Sequence, residues 1–137
     1  MKTMILYYSY GGTTKKLAQH LALKKSAGLY EVKAQKTPGL LSAYTAGCFA
    51  ALRGKRSPIE PIRANFADVD RLVVMGPVWA GKPAPAMNAL LDQLPAGKQV
   101  EVRMVSASGK SKSREHVEAM VKARGCTLAD FQDMKNK

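Results

Sequence analysis

The sequence predicts a single α/β domain, residues 1–137, with a doubly wound parallel sheet. Short apolar runs rich in β-forming residues alternate along the chain with amphipathic helical stripes, and glycine-containing turns separate them. A chain of 137 residues that is 46% hydrophobic can bury one sizeable core but not two. In such alternating chains, right-handed crossovers place helices on both faces of the sheet.

Five segments are predicted as strands. Met4–Tyr8 and Leu72–Met75 are continuous apolar runs, as expected for central strands buried on both faces. Gln99–Val105 alternates apolar and charged residues, which indicates one wetter face. Leu29–Ala34 and Cys126–Met134 complete the set, the latter as an edge strand.

Three helices are predicted from apolar residues at helical spacing. The first follows the turn after the first predicted strand, the second begins near Pro83 and Pro85 and ends at Pro95, and the third spans Ser113–Arg124. Their stripes are formed by Leu17 and Leu21, by Met87, Leu90, Leu91 and Leu94, and by Val117, Met120 and Val121.

The segment from Lys36 to Asp70 is longer than an ordinary strand-to-helix connection. Apolar residues at helical spacing predict an inserted helix in its first half, followed by an extended surface excursion with Pro58 and Pro61. The residues of the inserted stripe are Leu40, Leu41, Tyr44, Cys48, Ala51 and Leu52.

The chain is basic, with 22 Lys and Arg against 10 Asp and Glu and a net charge of +12. This charge favours anionic partners such as acidic proteins or phosphorylated small molecules. Aromatic residues are not interleaved with the basic ones, so a solvated basic surface is favoured over nucleic-acid binding. Without a long apolar segment or a secretory cleavage pattern, we expect no membrane span and a cytoplasmic location.

The sequence shows neither metal-ligand spacing nor a recognisable set of catalytic side chains. Cys48 and Cys126 lie far apart without metal-like spacing, so we expect buried free thiols rather than a disulfide or a zinc site. His20 and His116 are predicted to be surface residues without an acid–base role. No nucleophile–base pair is recognisable, and we predict no catalytic side chain.

The turn after the first strand is the first candidate binding site. If it starts a helix at the carboxyl end of a central strand, unpaired N–H groups and short hydroxyls converge on a volume that suits an anion. The alternative is an ordinary helix N-cap by Thr13 or Thr14. The turn matches neither a Walker A loop nor a dinucleotide fingerprint. It comprises Ser9, Tyr10, Gly11, Gly12, Thr13 and Thr14.

The loop after the second central strand contains Trp79, the only tryptophan of the chain. If the two strands are neighbours, this indole lies at the same sheet edge as the anion turn, which favours a ligand with a phosphate and a flat ring. The alternative is a partly buried structural tryptophan. The loop residues are Pro77, Val78, Trp79, Ala80 and Gly81.

Together these two segments resemble the flavodoxin family, in particular its compact bacterial flavodoxin-like members. Ser9–Thr14 is similar to the family's Ser/Thr-x-Thr-Gly-x-Thr phosphate loop, and Gly76–Pro85 to a Gly-x-Pro-Val-Trp-Ala-Gly loop followed by Pro-Ala-Pro. The inserted segment with Ala51–Pro61 also resembles this subgroup, so that the likeness extends over almost the whole chain.

The resemblance implies a five-stranded sheet in the order 2-1-3-4-5, an FMN cofactor and electron transfer. The turn would hold the FMN phosphate, and Trp79 would stack on the isoalloxazine ring. A third loop after the fourth strand would close the other side of the ring, and cations beside it would raise the flavin potential. The loop residues are Ser106, Ala107, Ser108 and Gly109, and the cations are Lys110, Lys112 and Arg114.

Three further expectations follow from comparison with standard flavodoxins. The chain has no room for the final C-terminal helix, so one sheet face is bare or paired, and a homodimer through an apolar patch is expected. A redox partner should carry an acidic surface, because this chain is basic. The alternative function is a flavin-free binding module that uses its basic surface for an acidic protein or a nucleic acid.

Overall fold

A computed structural model of the chain describes residues 2–35, 39 and 43–135. Its strands are β1 Thr3–Tyr7, β2 Gly28–Glu31, β3 Arg71–Trp79, β4 Lys82–Pro83, β5 Gln99–Ser106 and β6 Thr127–Lys135. Its α-helices are α1 Thr13–Lys25, α2 Cys48–Leu52, α3 Pro85–Asp92 and α4 Arg114–Ala123, and a π-helical turn, Ala43–Gly47, leads into α2.

The five long strands form one parallel sheet in the order β2-β1-β3-β5-β6. Counted along the chain without the short β4, this is the order 2-1-3-4-5, so the predicted fold class is confirmed. Strand β4 was not predicted; it pairs antiparallel with the end of β3. Strands β1 and β3 are neighbours, which brings their carboxyl-end loops to the same edge of the sheet.

Helices cover both faces of the sheet. Helix α1 packs Ala18 and Leu21 against one face, in a cluster with Ile5, Val73 and Val105. The other face forms the larger cluster, with buried residues from α3 and α4. Its fully buried members include Leu6, Leu72, Val74, Met87, Leu90, Leu91, Val117 and Val121. The three predicted helical stripes are therefore core-facing.

The described part of the inserted stripe is helical, as predicted: the π-helical turn Ala43–Gly47 continues into α2, Cys48–Leu52. Leu40 and Leu41, the first residues of the predicted stripe, lie outside the described residues. Ala51 is buried as expected, but Leu52 is 55% exposed and Phe49 64% exposed. Ala51 thus packs this part of the insertion against the core, while the large side chains of Phe49 and Leu52 remain at the surface.

On the side of the sheet that faces α1, β5 and β6 are apolar at Val105 and Met134, which pack with α1, and polar at Glu101, Arg103, Asp130 and Gln132. Glu101 and Arg103 form an ion pair with 2.6 Å between the carboxylate and Nε. Across the register, Glu101 lies opposite Asp130, whose pKa is lowered chiefly by the hydrogen bond from Gln132. These polar side chains do not form the apolar patch through which a homodimer was expected, and the homodimer stays a prediction.

Candidate functional site

The turn between β1 and α1 is built on two glycines with left-handed backbone. Gly11 has φ 85° and Gly12 has φ 95°, values that side chains with a Cβ rarely adopt. Gly12 is the N-cap, and no side chain caps the helix. Thr13 and Thr14 are instead the first two residues of α1. The alternative of an ordinary threonine N-cap is therefore wrong.

Four consecutive backbone N–H groups of this turn are available to bind a ligand. Within the described ranges, the N–H groups of Gly11, Gly12, Thr13 and Thr14 have no hydrogen-bond acceptor. The next N–H group, of Lys15, donates to Ser9 Oγ at 3.1 Å, which fixes the start of the turn. A Cβ built at either glycine would meet nothing within 4 Å. Open space, four unpaired donors and a helix N-terminus together suit an anion.

Trp79 is positioned by a tight hairpin. Strand β3 turns into β4 through two residues, and Trp79 pairs with Lys82 across the hairpin. Ala80 has φ 52° and Gly81 has φ 81°, so both central residues are left-handed, as in a type I′ turn. Ala80 and Ser26 are the non-glycine residues with positive φ among the described residues. The hairpin holds the indole just beyond the sheet edge.

The strain at Ala80 gives a stability prediction. A left-handed alanine costs about 1 kcal/mol, whereas asparagine tolerates this conformation and is favoured in type I′ turns. Ala80→Asn is therefore expected to raise the free energy of unfolding by about 0.5–1 kcal/mol. Urea denaturation measures it. The β-branched variant Ala80→Val should instead lower the free energy of unfolding. Equal stability of the two variants would contradict the turn assignment.

The two candidate loops touch through their aromatic rings. Tyr10 and Trp79 make an edge-to-face contact, with 5.5 Å between centroids and an interplanar angle of 85°. Trp79 also lines an apolar hollow of about 280 Å³ together with Tyr8, Ala50 and Ala86. Tyr8 was missed by the sequence analysis because it reads as the last residue of a buried strand. Its burial raises the pKa of its hydroxyl.

The loop after β5 lies at the same edge of the sheet, but its first residues lie beside β6 and not beside Trp79. Ser106 Oγ accepts from the Gly109 N–H at 3.0 Å, and a Cβ at Gly109 would lie 2.7 Å from Lys135 Cγ. The predicted third loop therefore lies beside the end of β6; its residues are Ser106, Ala107, Ser108 and Gly109. Among the described residues, no hydrogen bond or ring contact joins this loop to Trp79 or to the glycine turn. Ser108 Oγ accepts from the Lys110 N–H at 3.2 Å.

Contact between this loop and the tryptophan hairpin comes from later residues. The Lys112 N–H donates to the Gly81 carbonyl at 2.7 Å, and Lys82 Nζ donates to the Lys112 carbonyl at 2.7 Å. A hollow of about 440 Å³ between them is lined by Leu52, Ala80, Gly81 and three lysines. These are Lys82, Lys110 and Lys112. Arg114 is not part of this group, because its guanidinium lies 5.8 Å from the Phe131 ring centroid.

His116 is not the free surface residue that was predicted. Its Nε2 lies 2.9 Å from Oδ1 of the fully buried Asn88, whose Nδ2 donates to the Lys55 carbonyl at 2.9 Å. Because Asn88 Oδ1 can only accept, Nε2 carries the proton. Burial lowers the pKa of His116, and the nearby charges of Lys82 and Arg56 lower it further. A polar residue inside an apolar helix, as Asn88 is in α3, is the sequence signal that could have revealed this pair.

This lowered pKa predicts a pH dependence. Below the ordinary value of 6.5 the unfolded imidazole takes up a proton before the folded one, so stability falls as the pH decreases from 6.5 toward the folded pKa. His116→Gln keeps a donor toward Asn88 and removes the titration. We expect the urea midpoint of the variant to fall less than that of the wild type between pH 7 and pH 5. Identical pH slopes would contradict the expectation.

The cysteines form neither a disulfide nor a metal site among the described residues. Both are free thiols; Cys126 is buried, as predicted, with Sγ 3.1 Å from the Pro95 carbonyl, whereas Cys48 is only partly buried. No group of three or more potential metal ligands occurs in the part of the chain that the structure describes. No described helix is long and apolar enough to cross a membrane.

Solved structures of flavoproteins share this fold over nearly the whole chain. The flavoprotein from Lactobacillus acidophilus NCFM in complex with FMN has a TM-score of 0.80 and 26% identity, covering 98% of this chain and 93% of its own. A protein inferred to be a flavoprotein, from Bacteroides eggerthii DSM 20697, has a TM-score of 0.81 and 16% identity, covering 99% and 89%. The flavodoxin of Streptococcus pneumonia TIGR4 has a TM-score of 0.50 and 11% identity, covering 96% and 83%.

These similarities and the sheet order define the class of the protein. It has an α/β flavodoxin fold with a glycine turn after the first strand and an aromatic hairpin after the third. No protein-family model matches the chain, and no curated protein is similar to it in sequence. At the level of fold and overall likeness, the chain is a flavodoxin-like protein, as its two motifs predict.

Proposed function

We propose that this chain binds FMN and acts as a flavin-dependent redox protein. The Ser9–Thr14 turn holds the phosphate, and Trp79 in the Pro77–Gly81 hairpin packs on the ring. The other wall is formed by Lys110–Lys112, which continue the predicted Ser106–Gly109 loop and reach the hairpin through Lys112. The observation that carries the proposal is that four N–H donors without an acceptor lie next to an aromatic hairpin, and the Tyr10–Trp79 contact joins the two. Similarity to a flavoprotein crystallised with FMN supports it.

The residues fit a phosphorylated flavin in both parts of the site. A phosphate accepts strong, charge-assisted hydrogen bonds from backbone N–H groups, and here Gly11 and Gly12 leave it room. The first turn of α1 contains no acidic residue that would repel it. The indole of Trp79 offers a large apolar surface to a flat ring and shields it from water.

Bound FMN would supply one- or two-electron transfer, while the chain sets the binding and the electrostatics. Three cationic side chains line the hollow beside the hairpin: Lys82, Lys110 and Lys112. Their charge stabilises an anionic ligand beside them by the Coulomb interaction. They therefore favour the more negatively charged, reduced form of a bound flavin. The chain serves either as an electron carrier or as a small flavin-dependent reductase.

The redox partner in this proposal is a protein with an acidic surface. The net charge of +12 favours association with an acidic partner and makes it sensitive to salt. The exposed Phe49 and Leu52 on α2, close to the hollow lined by lysines, offer an apolar contact within this basic surface. A cytoplasmic location and a homodimer belong to the same proposal. Sedimentation at high protein concentration tests the dimer.

The second candidate is a flavin-free binding module, favoured by the same basic surface. It predicts salt-sensitive binding of an acidic protein or nucleic acid and no affinity for flavin. Binding to a polyanion such as heparin at increasing salt, with and without FMN, separates the two. Under the proposed function, FMN binds at a salt concentration that releases the polyanion.

Trp79 provides the test of the ring site. Since it is the only tryptophan, its fluorescence reports this hairpin alone, and FMN is expected to quench it. Trp79→Ala should weaken FMN binding about 10-fold, from a loss of about 1.4 kcal/mol of packing and stacking, whereas Trp79→Phe should retain most of it. Flavin fluorescence measures both affinities. Equal FMN affinity of the wild type and Trp79→Ala would contradict stacking on this residue.

A further inference from the structure

We propose that a second anion site, distinct from the glycine turn, lies between α2 and α4 and binds the phosphate group of a small phosphorylated molecule. The site is a cavity of about 230 Å³. This is room for several water molecules at about 30 Å³ each, or for one phosphate group and part of its shell. The cavity is lined by Ala51, Leu52, Arg53, Gly54, Lys82 and His116.

Every charged or titratable group that lines the cavity is cationic or basic. Arg53 makes no ion pair or side-chain hydrogen bond within the described residues, so its guanidinium is free to bind a ligand. Lys82 Nζ uses one donor on the Lys112 carbonyl and has two more. Asp92 is committed to Arg56, with 3.3 Å between its Oδ2 and Nε. An anion entering the cavity therefore meets no lining carboxylate.

His116 presents one ring nitrogen to this group. Its Nε2–H is donated to Asn88, which leaves Nδ1 as the other polar atom of the ring. The ring lies under Gly54, where a Cβ would come within 3.0 Å of Cε1 and 3.7 Å of Nδ1. Protonated Nδ1 would be a donor beside Arg53 and Lys82. A planar guanidinium, an ammonium and an imidazolium are the side chains that recognise a phosphate monoester.

The cavity is separate from the proposed FMN phosphate site. It shares no residue with Ser9–Thr14, and the glycine turn begins α1, which packs on the opposite face of the sheet from α4. Lys82 belongs both to this cavity and to the tryptophan hairpin. A molecule whose phosphate binds here therefore extends toward the hairpin. That part of the inference rests on the proposed function; the anion site does not.

Histidine NMR provides the test, with inorganic phosphate as the probe. The charged groups around His116 are Arg53, Arg56 and Lys82, and Asp92 faces Arg56. A bound phosphate anion offsets this positive surrounding, so phosphate should raise the pKa of His116. His20, exposed on α1, is the internal control and should not respond.

Arg53→Gln is expected to weaken phosphate binding at least ~10-fold, since a hydrogen bond to a charged group is lost. Lys24→Gln, on the exposed end of α1, removes the same charge elsewhere and should change nothing. No response of His116, equal responses of His20 and His116, or equal losses in the two variants would overturn the site.

The source of the phosphate is resolved by comparing ligands on the same His116 signal. NADPH and NADH differ by one phosphate monoester, and preference for NADPH would assign the site to a phosphorylated nucleotide. A response to inorganic phosphate alone would assign it to free phosphate. Both series are measured with and without FMN. A protein that binds phosphate at His116 but not FMN would refute the proposed function and leave this site intact.

Discussion

Gly11→Asp is expected to reduce the affinity for FMN at least ~100-fold and to leave the affinity for riboflavin nearly unchanged. A side chain at this position enters open space beside the unpaired N–H groups. Its carboxylate takes these donors and repels the phosphate. Loss of hydrogen bonds to a charged group, at about 1.5–3 kcal/mol each, together with charge repulsion accounts for the magnitude. Paired fluorescence titrations with the two flavins measure it.

The chain contains a matched control for this variant. Gly97 has φ 81°, close to the 85° of Gly11, and a Cβ there also meets nothing within 4 Å. Gly97→Asp therefore introduces the same backbone strain and the same charge far from the turn. Both variants should lose similar stability, but only Gly11→Asp should lose FMN. Parallel loss of FMN binding in both would attribute the effect to stability or net charge.

Gly76→Ala is expected to lower the free energy of unfolding by about 1–3 kcal/mol. Gly76 lies inside β3, where a Cβ would come within 2.5 Å of Met87 Sδ and 3.1 Å of its Cγ. Met87 is fully buried in α3, so it cannot move out of the way without disturbing the core. Since β3 also carries the tryptophan hairpin, the same substitution should disturb the position of Trp79.

A second strand glycine controls for the change of residue type. At Gly28 in β2 the nearest side-chain atoms to a Cβ are in Met4 at 3.8 Å, an ordinary contact. Gly28→Ala should therefore change stability little or raise it by a few tenths of a kcal/mol. The double variant Gly76→Ala with Met87→Val should recover part of the loss. Equal stability of the two single variants in urea would contradict the close packing of β3 on α3.

Most of the fold was predictable because its signals are local. Continuous apolar runs identified the central strands, and the stripe from Met87 to Leu94 identified α3 with Pro83 and Pro85 near its start. The exposure of the inserted helix was not predictable, because a stripe does not show what will cover it: Leu52 is exposed although it continues the pattern. The polar part of the β5 and β6 face depends on cross-strand neighbours such as Glu101 and Asp130, which the sequence does not pair.

The candidate site was likewise predictable only where its features are local in the sequence. The glycine turn and Trp79 were recognisable because unusual backbone and a single large aromatic ring leave a trace in the sequence. The sequence predicted that the two loops share a sheet edge, and the adjacency of β1 and β3 brings Tyr10 and Trp79 into contact there. Lys112 was predicted as a cation beside the ring, but its backbone contacts with the hairpin and the Asn88–His116 pair were missed, because they join residues that are 28 or more positions apart.

The central claim is that the unpaired donors of the Ser9–Thr14 turn bind the phosphate of a flavin. It is tested most directly by titrating the wild-type protein with FMN and with riboflavin, which differ only in that phosphate. We predict that FMN binds at least ~100-fold more tightly, corresponding to about 2.7 kcal/mol. Equal affinities, or no binding of FMN at tens of micromolar, would contradict the claim and leave the basic surface as the functional feature.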